Sequence, residues 1–217
     1  MAVIFDLDGT LINSIKFHFK SFYPSLIKTL KIKIDPKFVM GMIEYPTSFS
    51  LKAIEKKYRI KISKDQIAEI VGFTNSSVNE DNVRKGVKFY PGAVSTAKLL
   101  KSRGIKVGIA TSMNSTQLKI FKKVFELEKI ASAITNPNSL KQDKPNPYIL
   151  NRAIKLLGAQ RKSVFYVGDA PTDYAASKNA GIKFIGVRDE RLREFGLFFP
   201  DMRALYKHIK THLDDFE

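Results

Sequence analysis

The sequence contains no cysteine, so it can form neither disulfide bonds nor thiolate metal sites. This composition is consistent with a reducing compartment, and we expect a cytoplasmic protein. No apolar run approaches the roughly 20 residues that a membrane-spanning helix needs. The N-terminus lacks the basic segment of a secretory signal, and Asp6 and Asp8 soon interrupt its apolar run. We therefore expect neither a signal peptide nor a membrane partner.

Clustered basic residues are also missing, although the chain is strongly basic. Its 217 residues include 37 Lys and Arg against 21 Asp and Glu, a formal net charge of +16. Such a charge attracts anionic partners, among them phosphorylated metabolites, nucleic acids and anionic membranes. The sequence has no run of five basic residues and no alternation of aromatic and basic residues. We therefore favour a solvated, lysine-rich surface, and keep a non-catalytic nucleic-acid-binding protein as the alternative from another class.

Most of the chain alternates between apolar runs and amphipathic segments, which predict strands and helices respectively. The predicted strands cover residues 3–7, 106–111, 131–135, 163–169 and 183–187. The predicted helices between and after them cover residues 93–103, 115–127, 147–157, 172–180 and 202–213. This alternation is typical of an α/β protein with a Rossmann-like parallel sheet and right-handed crossovers. Ligands of such sheets bind beyond the carboxyl ends of the strands.

Residues 15–85 have a different character, because apolar residues recur there at helical spacing and strand patterns are rare. Pro24 predicts a kink or break in the first of these helices. We predict a small α-helical domain over residues 15–85, inserted into an α/β core formed by residues 1–14 and 86–217.

Several polar residues follow predicted strands. Asp6 lies at the end of the first strand and Asp8 just after it, Thr111 ends the second, and Asp169 ends the fourth. We therefore expect them to meet at one edge of the sheet. Acids that share a crevice repel one another, which raises their pKa values unless a cation lies between them. Mg²⁺, which prefers oxygen ligands, is the cation that suits this set.

These residue types suit phosphoryl transfer. Asp6, held at a strand end, is a candidate nucleophile that would form an aspartyl-phosphate. Asp8 is a candidate acid and base that would protonate the leaving oxygen and later deprotonate water. The Thr111 hydroxyl and the backbone amides of Leu7 and Ser112 are candidate donors to phosphate oxygens.

Two more residues complete the candidate site. Lys144, with prolines one and three residues later, offers a fixed positive charge that could bind phosphate and keep Asp6 ionised. Asp173, four residues after Asp169, is expected to support the site or to hold a metal-bound water. Each residue alone has an ordinary structural explanation, such as a helix cap or a solvated loop lysine. Their joint order and placement favour the functional interpretation.

Four motifs carry a resemblance to a known family: Asp6-Leu7-Asp8-Gly9-Thr10, Thr111 after an apolar strand, Lys144 in a Lys-Pro-x-Pro setting, and Gly168-Asp169-x-x-x-Asp173. In this order they resemble the motifs of the haloacid dehalogenase (HAD) superfamily. Residues 89–92 and 180–181 are similar to its phosphoglycolate phosphatase and phosphomutase branch, in which residues 15–85 would be a helical cap. The resemblance implies a Mg²⁺-dependent phosphatase that acts on a small phosphorylated metabolite, such as a phosphoglycolate-like compound or a sugar phosphate, through an aspartyl-phosphate.

The resemblance also implies roles for individual residues. Asp6 would be the nucleophile and Asp8 the acid and base, while Thr111 and Lys144 would bind phosphate. Asp6, Asp169 and the Asp8 carbonyl would bind Mg²⁺. Asp8 argues against dehalogenation, because a halide leaves without a proton.

A β-phosphoglucomutase-like enzyme remains the alternative within the branch. His18 lies where those members carry a histidine near the cap hinge, but it could equally be an ordinary packed helix residue. Met40 and Glu44 stand where those members have basic residues, which weakens the mutase interpretation. We expect the cap loop over residues 41–49, with Glu44 and Tyr45, to select the substrate together with His18. The sequence leaves the substrate and the oligomeric state open.

Overall fold

The computed structural model describes residues 1–43, 45 and 47–212. Its strands are β1 (Ala2–Phe5), β2 (Lys106–Ala110), β3 (Ala133–Thr135), β4 (Val164–Gly168), β5 (Lys183–Val187) and β6 (Leu197–Phe199). Its α-helices are α1 (Ile15–Leu30), α2 (Pro36–Met40), α3 (Thr47–Tyr58), α4 (Lys64–Ser77), α5 (Glu80–Gly86), α6 (Ala93–Ser102), α7 (Ser115–Phe125), α8 (Leu127–Ile130), α9 (Tyr148–Leu157), α10 (Pro171–Ala180) and α11 (Met202–Thr211). None of the described helices is both long and apolar enough to cross a bilayer.

The strands form one parallel sheet in the order β3-β2-β1-β4-β5-β6. Strand β1 is central, and Val3 pairs with Val107 on one side and with Phe165 on the other. Successive side chains of a strand point to opposite faces. Accordingly, Val3 belongs to the apolar cluster on one face of the sheet and Ile4 to the cluster on the other. The α/β fold class is thus confirmed, and β1 delivers its carboxyl end to the middle of the sheet edge.

The described helices α1–α4 pack around an apolar cluster of their own. Its buried members are Phe22, Leu26, Ile34, Val39, Leu51, Ile54, Ile62 and Ile70. We propose that these helices, with α5, form the inserted cap of residues 15–85, and that residues 1–14 and 86–217 form the core.

Three local features differ from the sequence predictions. Helix α1 runs without a break through Pro24, which is exposed, while Phe22 and Leu26 beside it are buried in the cap cluster. The helix predicted over residues 115–127 ends at Glu126, whose φ of 48° interrupts it before α8 begins. The short edge strand β6 escaped prediction because it has three residues and its first, Leu197, is exposed.

Candidate active site

The loop after β1 brings two distant carboxylates together. Asp6 follows the last residue of β1 and is buried. Gly9 turns the chain with a φ of 81°, and a Cβ atom there would lie 2.0 Å from a carboxylate oxygen of Asp169. The Thr10 hydroxyl donates a hydrogen bond to Oδ1 of Asp169 at 2.6 Å. The glycine is therefore required for the close approach of Asp169, which follows β4, to the β1 loop.

Lys144 joins the carboxylates. Its Nζ donates to Oδ1 of Asp6 at 2.6 Å and to Oδ1 of Asp173 at 2.7 Å. Burial raises the pKa of Asp6 well above its ordinary value, although the charge of Lys144 opposes this effect. Burial alone would lower the pKa of Lys144, but the charges of Asp173 and Asp6 outweigh it and raise that pKa. Lys144 therefore remains an ammonium ion at neutral pH.

Both carboxylate oxygens of Asp173 accept hydrogen bonds from neighbouring groups of the site. One oxygen accepts hydrogen bonds from Lys144 and from the Tyr166 hydroxyl, the latter at 2.8 Å. The other accepts from the backbone N–H groups of Asp169 and Ala170 at 3.2 and 3.1 Å. Asp173 thus contacts both the lysine and the turn after β4, and its supporting role stays a prediction.

Asp8 lies in a different environment from Asp6. Its Oδ1 accepts a hydrogen bond from the Ser14 hydroxyl and lies 3.0 Å from Nε2 of His18. Burial raises the pKa of Asp8, but the charge of His18 and the hydrogen bonds from His18 and Ser14 outweigh burial, so this pKa lies below its ordinary value. The two acids of the motif therefore have pKa values displaced in opposite directions.

The predicted phosphate donors lie beside these acids. Thr111 is buried, and its hydroxyl lies 3.4 Å from Oδ2 of Asp8 while accepting from the backbone N–H of Met113 at 3.1 Å. Ser112 lines the cavity above the site. The Leu7 side chain is buried, and its carbonyl accepts from two N–H groups later in the loop.

Asp6, Asp8, Lys144 and Asp169 lie at one end of a cavity of about 410 Å³, which we call the cap cavity. Its remaining walls come largely from the helices α1, α3 and α4 and from the loops beside them. His18 and Tyr45 line the cap cavity, whereas Glu44 lies outside the described residues.

The carboxylates form a set that suits Mg²⁺. Oxygen atoms of Asp6, Asp169 and Asp173, all buried, lie within 4.8 Å of one another. Asp6 and Asp169 were predicted ligands, while the Asp8 side chain turns away from this set toward Ser14. An all-oxygen donor set is what Mg²⁺ prefers. A cation there would also offset the mutual repulsion of the carboxylates, so the residues fit the ion.

The sequence prediction missed three supporting residues. Thr10 and Ser14 are fully buried polar residues that bind Asp169 and Asp8 respectively. Tyr166 is the one hydroxyl-bearing residue in the apolar strand β4. A polar group in an otherwise apolar strand could have indicated a role in the site. The partners of Thr10 and Ser14 depend on turn geometry that no spacing rule provides.

Comparisons with known proteins identify the family of the chain. The family profile of haloacid dehalogenase-like hydrolases matches residues 3–187. Pyrophosphatase PpaX from Halalkalibacterium halodurans is 31% identical over 183 residues, which cover 84% of this chain and 80% of that protein. A predicted phosphoglycolate phosphatase from Haemophilus somnus 129pt has a similar structure, with a TM-score of 0.79 and 20% identity over 95% of this chain and 96% of that one.

β-Phosphoglucomutase from Clostridium difficile is also similar in structure, with a TM-score of 0.79 and 20% identity, covering 99% of this chain and 97% of that one. These structural likenesses concern the fold, whereas the family profile covers the sequence motifs from β1 to β5. The chain therefore belongs to the haloacid dehalogenase-like hydrolases.

Proposed function

We propose that this protein is a Mg²⁺-dependent phosphatase that hydrolyses a small phosphomonoester through an aspartyl-phosphate intermediate. The observation that carries the proposal is the buried contact of 2.6 Å between Lys144 and Asp6, beside the separately hydrogen-bonded Asp8. The relatives named as phosphatases support the same class of reaction. We place the substrate among the small phosphorylated metabolites of the cytoplasm.

In the first step, a carboxylate oxygen of Asp6 attacks the phosphorus atom, and the bond from phosphorus to the ester oxygen breaks. Asp8 gives its proton to the departing oxygen. Burial raises the pKa of Asp6 most, but the charge of Lys144 lowers it, which favours the attacking carboxylate, and that charge also attracts the phosphate. A Mg²⁺ ion held by Asp6 and Asp169 would supply positive charge to the phosphate oxygens.

In the second step, water attacks the phosphorus atom, Asp8 takes its proton, and the bond between phosphorus and Asp6 breaks. Inorganic phosphate leaves, and Asp8 is again protonated for the next cycle. The pKa of Asp8 lies below its ordinary value, because the raising effect of burial is smaller than the combined lowering effects of His18 and Ser14. The negative charge of a bound phosphate would raise this pKa and allow Asp8 to hold its proton.

The test is phosphate release from a generic aryl phosphate with and without Mg²⁺. We expect Mg²⁺-dependent turnover by the wild type and its loss in Asp6→Asn, which removes the nucleophile. Asp81→Asn, at an exposed position on α5, is the matched control and should keep the wild-type rate. Undiminished turnover by Asp6→Asn, or no turnover by the wild type, would contradict the proposal.

A phosphomutase is the second candidate, and the contact of 3.0 Å between His18 and Asp8 is the observation that favours it. A mutase would interconvert sugar phosphates in the presence of a sugar bisphosphate primer. His18→Ala should then lower the mutase rate, because Asp8 would lose the partner that lowers its pKa after burial has raised it. A mutase rate that is unaffected by His18→Ala would exclude this role for the histidine.

A further inference from the structure

The cap cavity is apolar along most of its length. The side chains that form its apolar walls are Phe22, Ile43, Leu51, Ile62, Ile67 and Val71. They come from several elements of the cap and continue the space away from Asp6. The volume of about 410 Å³ lies within the range of roughly 300–1,000 Å³ that is typical of sites for small organic molecules.

Three polar side chains on the cap walls, those of Ser50, Glu55 and Thr74, have partners within the protein. The Ser50 hydroxyl donates to the carbonyl of Met42 at 2.8 Å, and the Thr74 hydroxyl donates to a carbonyl in its own helix at 2.8 Å. A carboxylate oxygen of Glu55 accepts from the backbone N–H of Ile62 at 2.8 Å. The Ser50 and Thr74 hydroxyls therefore already donate and Glu55 already accepts, whereas a sugar in the cavity would need free partners for its buried hydroxyl groups.

The cap walls also offer little to a second anion. Among the described lining residues from the cap, Lys52 is exposed, while His18 contacts Asp8. At the other end of the cavity, Lys144 is already bound to Asp6 and Asp173. Since Lys52 is exposed, the carboxylate of phosphoglycolate or the second phosphate of pyrophosphate would meet no buried lysine or arginine among the described cap residues of the lining, which is costly for a buried charge.

An aromatic pair extends the apolar surface outward. Tyr45 lines the cap cavity and stacks on Phe49 with ring centroids 4.8 Å apart. Phe49 is 50% exposed, an unusual position for a large apolar side chain in this protein. The apolar surface therefore continues from the cavity to the exterior of the cap.

We propose that the substrate is the phosphate monoester of an apolar alcohol, with its phosphate at Asp6 and its hydrocarbon chain in the cap cavity. This inference rests on the proposed phosphatase function and specifies its substrate class. Hydrolysis breaks the bond from phosphorus to the ester oxygen, and water supplies the oxygen of the released phosphate and the proton of the released alcohol. Burial of the hydrocarbon chain against the cap walls provides the binding preference.

The test compares kcat/KM for a series of linear alkyl phosphates, from ethyl to decyl, with values for pyrophosphate and phosphoglycolate. All substrates are used with Mg²⁺ and below their critical micelle concentrations. We expect kcat/KM to rise by about fourfold for each added methylene, the equivalent of about 0.8 kcal/mol, until the cavity is filled. The best alkyl phosphate should exceed both pyrophosphate and phosphoglycolate.

Two positions on α4 provide matched variants. Val71 lines the cap cavity, whereas Ala68 is exposed on the same helix. Val71→Trp should move the best chain length to a shorter alkyl group, and the milder Val71→Ala should move it to a longer one. Ala68→Trp should leave the best chain length unchanged. If Val71→Trp does not fold, the wild-type series and Val71→Ala still decide the question.

Failure of this inference is distinguishable from failure of the proposed function. An enzyme that hydrolyses the aryl phosphate in an Asp6-dependent way, but shows kcat/KM independent of chain length or highest for pyrophosphate or phosphoglycolate, would overturn the substrate class alone. Unchanged chain-length preference in both Val71 variants would likewise overturn the placement of the hydrocarbon chain. If no phosphomonoester is hydrolysed, both the function and this inference fall.

Discussion

Replacing Lys144 by methionine tests the electrostatic core of the site. Methionine retains much of the apolar stem of lysine but removes the ammonium group that lies 2.6 Å from Asp6 and 2.7 Å from Asp173. All three side chains are at most 8% exposed, so water cannot readily replace the lost partner. Lys144→Met would therefore leave two buried carboxylates without the cation that they contact.

The expected loss of stability is large. Two unit charges at this separation attract by about 6 kcal/mol at an effective dielectric constant of about 20. The cost of dehydrating the ions offsets much of that attraction, and removal of one partner from a buried pair typically costs about 3–5 kcal/mol. Native proteins are stable by only about 5–15 kcal/mol, so we expect Lys144→Met to be severely destabilised when Mg²⁺ is absent.

The measurement is chemical denaturation in EDTA at neutral pH, for the wild type, for Lys144→Met and for the control Lys141→Met. Lys141 is exposed and lies three residues earlier, so its replacement should change the free energy of unfolding by less than about 0.5 kcal/mol. A Lys144→Met protein that loses less than about 1 kcal/mol would refute this account of the buried charges, because that is the size expected of a surface pair.

Three further predictions concern neighbouring groups. Saturating Mg²⁺, at about 100 times its Kd, should stabilise the wild type by about 2.7 kcal/mol in thermal unfolding, and Asp169→Asn should abolish most of this gain. Tyr166→Phe removes the hydrogen bond of 2.8 Å to Asp173 and should cost about 1.5–3 kcal/mol in urea denaturation, whereas a loss below about 0.5 kcal/mol would contradict a strong bond. Burial raises the folded-state pKa of Asp6. In EDTA, as the pH rises above about 3.9, Asp6 should therefore lose its proton in the unfolded state before it does so in the folded state, which favours unfolding. The wild type should therefore lose stability relative to Asp6→Asn over that range, and an opposite slope would show that the pKa is lowered.

The sequence predicted the sheet and the placement of the polar residues at its edge, because few other structures fit these patterns. The apolar run of β1 is buried on both faces of the sheet, as its continuous pattern predicted. Asp6, Thr111 and Asp169 each follow a strand, and parallel topology brings such positions to one edge whatever the intervening loops do. The structure accordingly brings these residues together with Lys144, although their roles stay predictions.

Helical periodicity was less informative about the cap. Ile67, Ile70 and Val71 follow the same spacing, which predicts one buried face. In the structure Ile70 is fully buried in the cap cluster, whereas Ile67 and Val71 are half-buried and line the cap cavity. The pattern of a helix face does not distinguish residues that pack on protein from residues that line a cavity, because both are apolar. The same limit applies to His18, which fits a packed helix residue but contacts Asp8.

The phosphate-handling residues and the walls of the cap cavity come from different parts of the chain, which explains why family membership does not identify the substrate. The groups that would handle phosphate come from the ends of β1, β2 and β4 and from the loop before α9, and their positions are fixed by the sheet. Each buried charge destabilises the fold unless its oppositely charged partner is present, so few substitutions are tolerated at these positions. The walls of the cap cavity come largely from helices that only have to remain apolar, and apolar residues of similar volume can be exchanged at low cost. Under the proposed function, exchanges among these apolar residues would therefore change the shape of the leaving-group site while the chemistry at Asp6 stays the same.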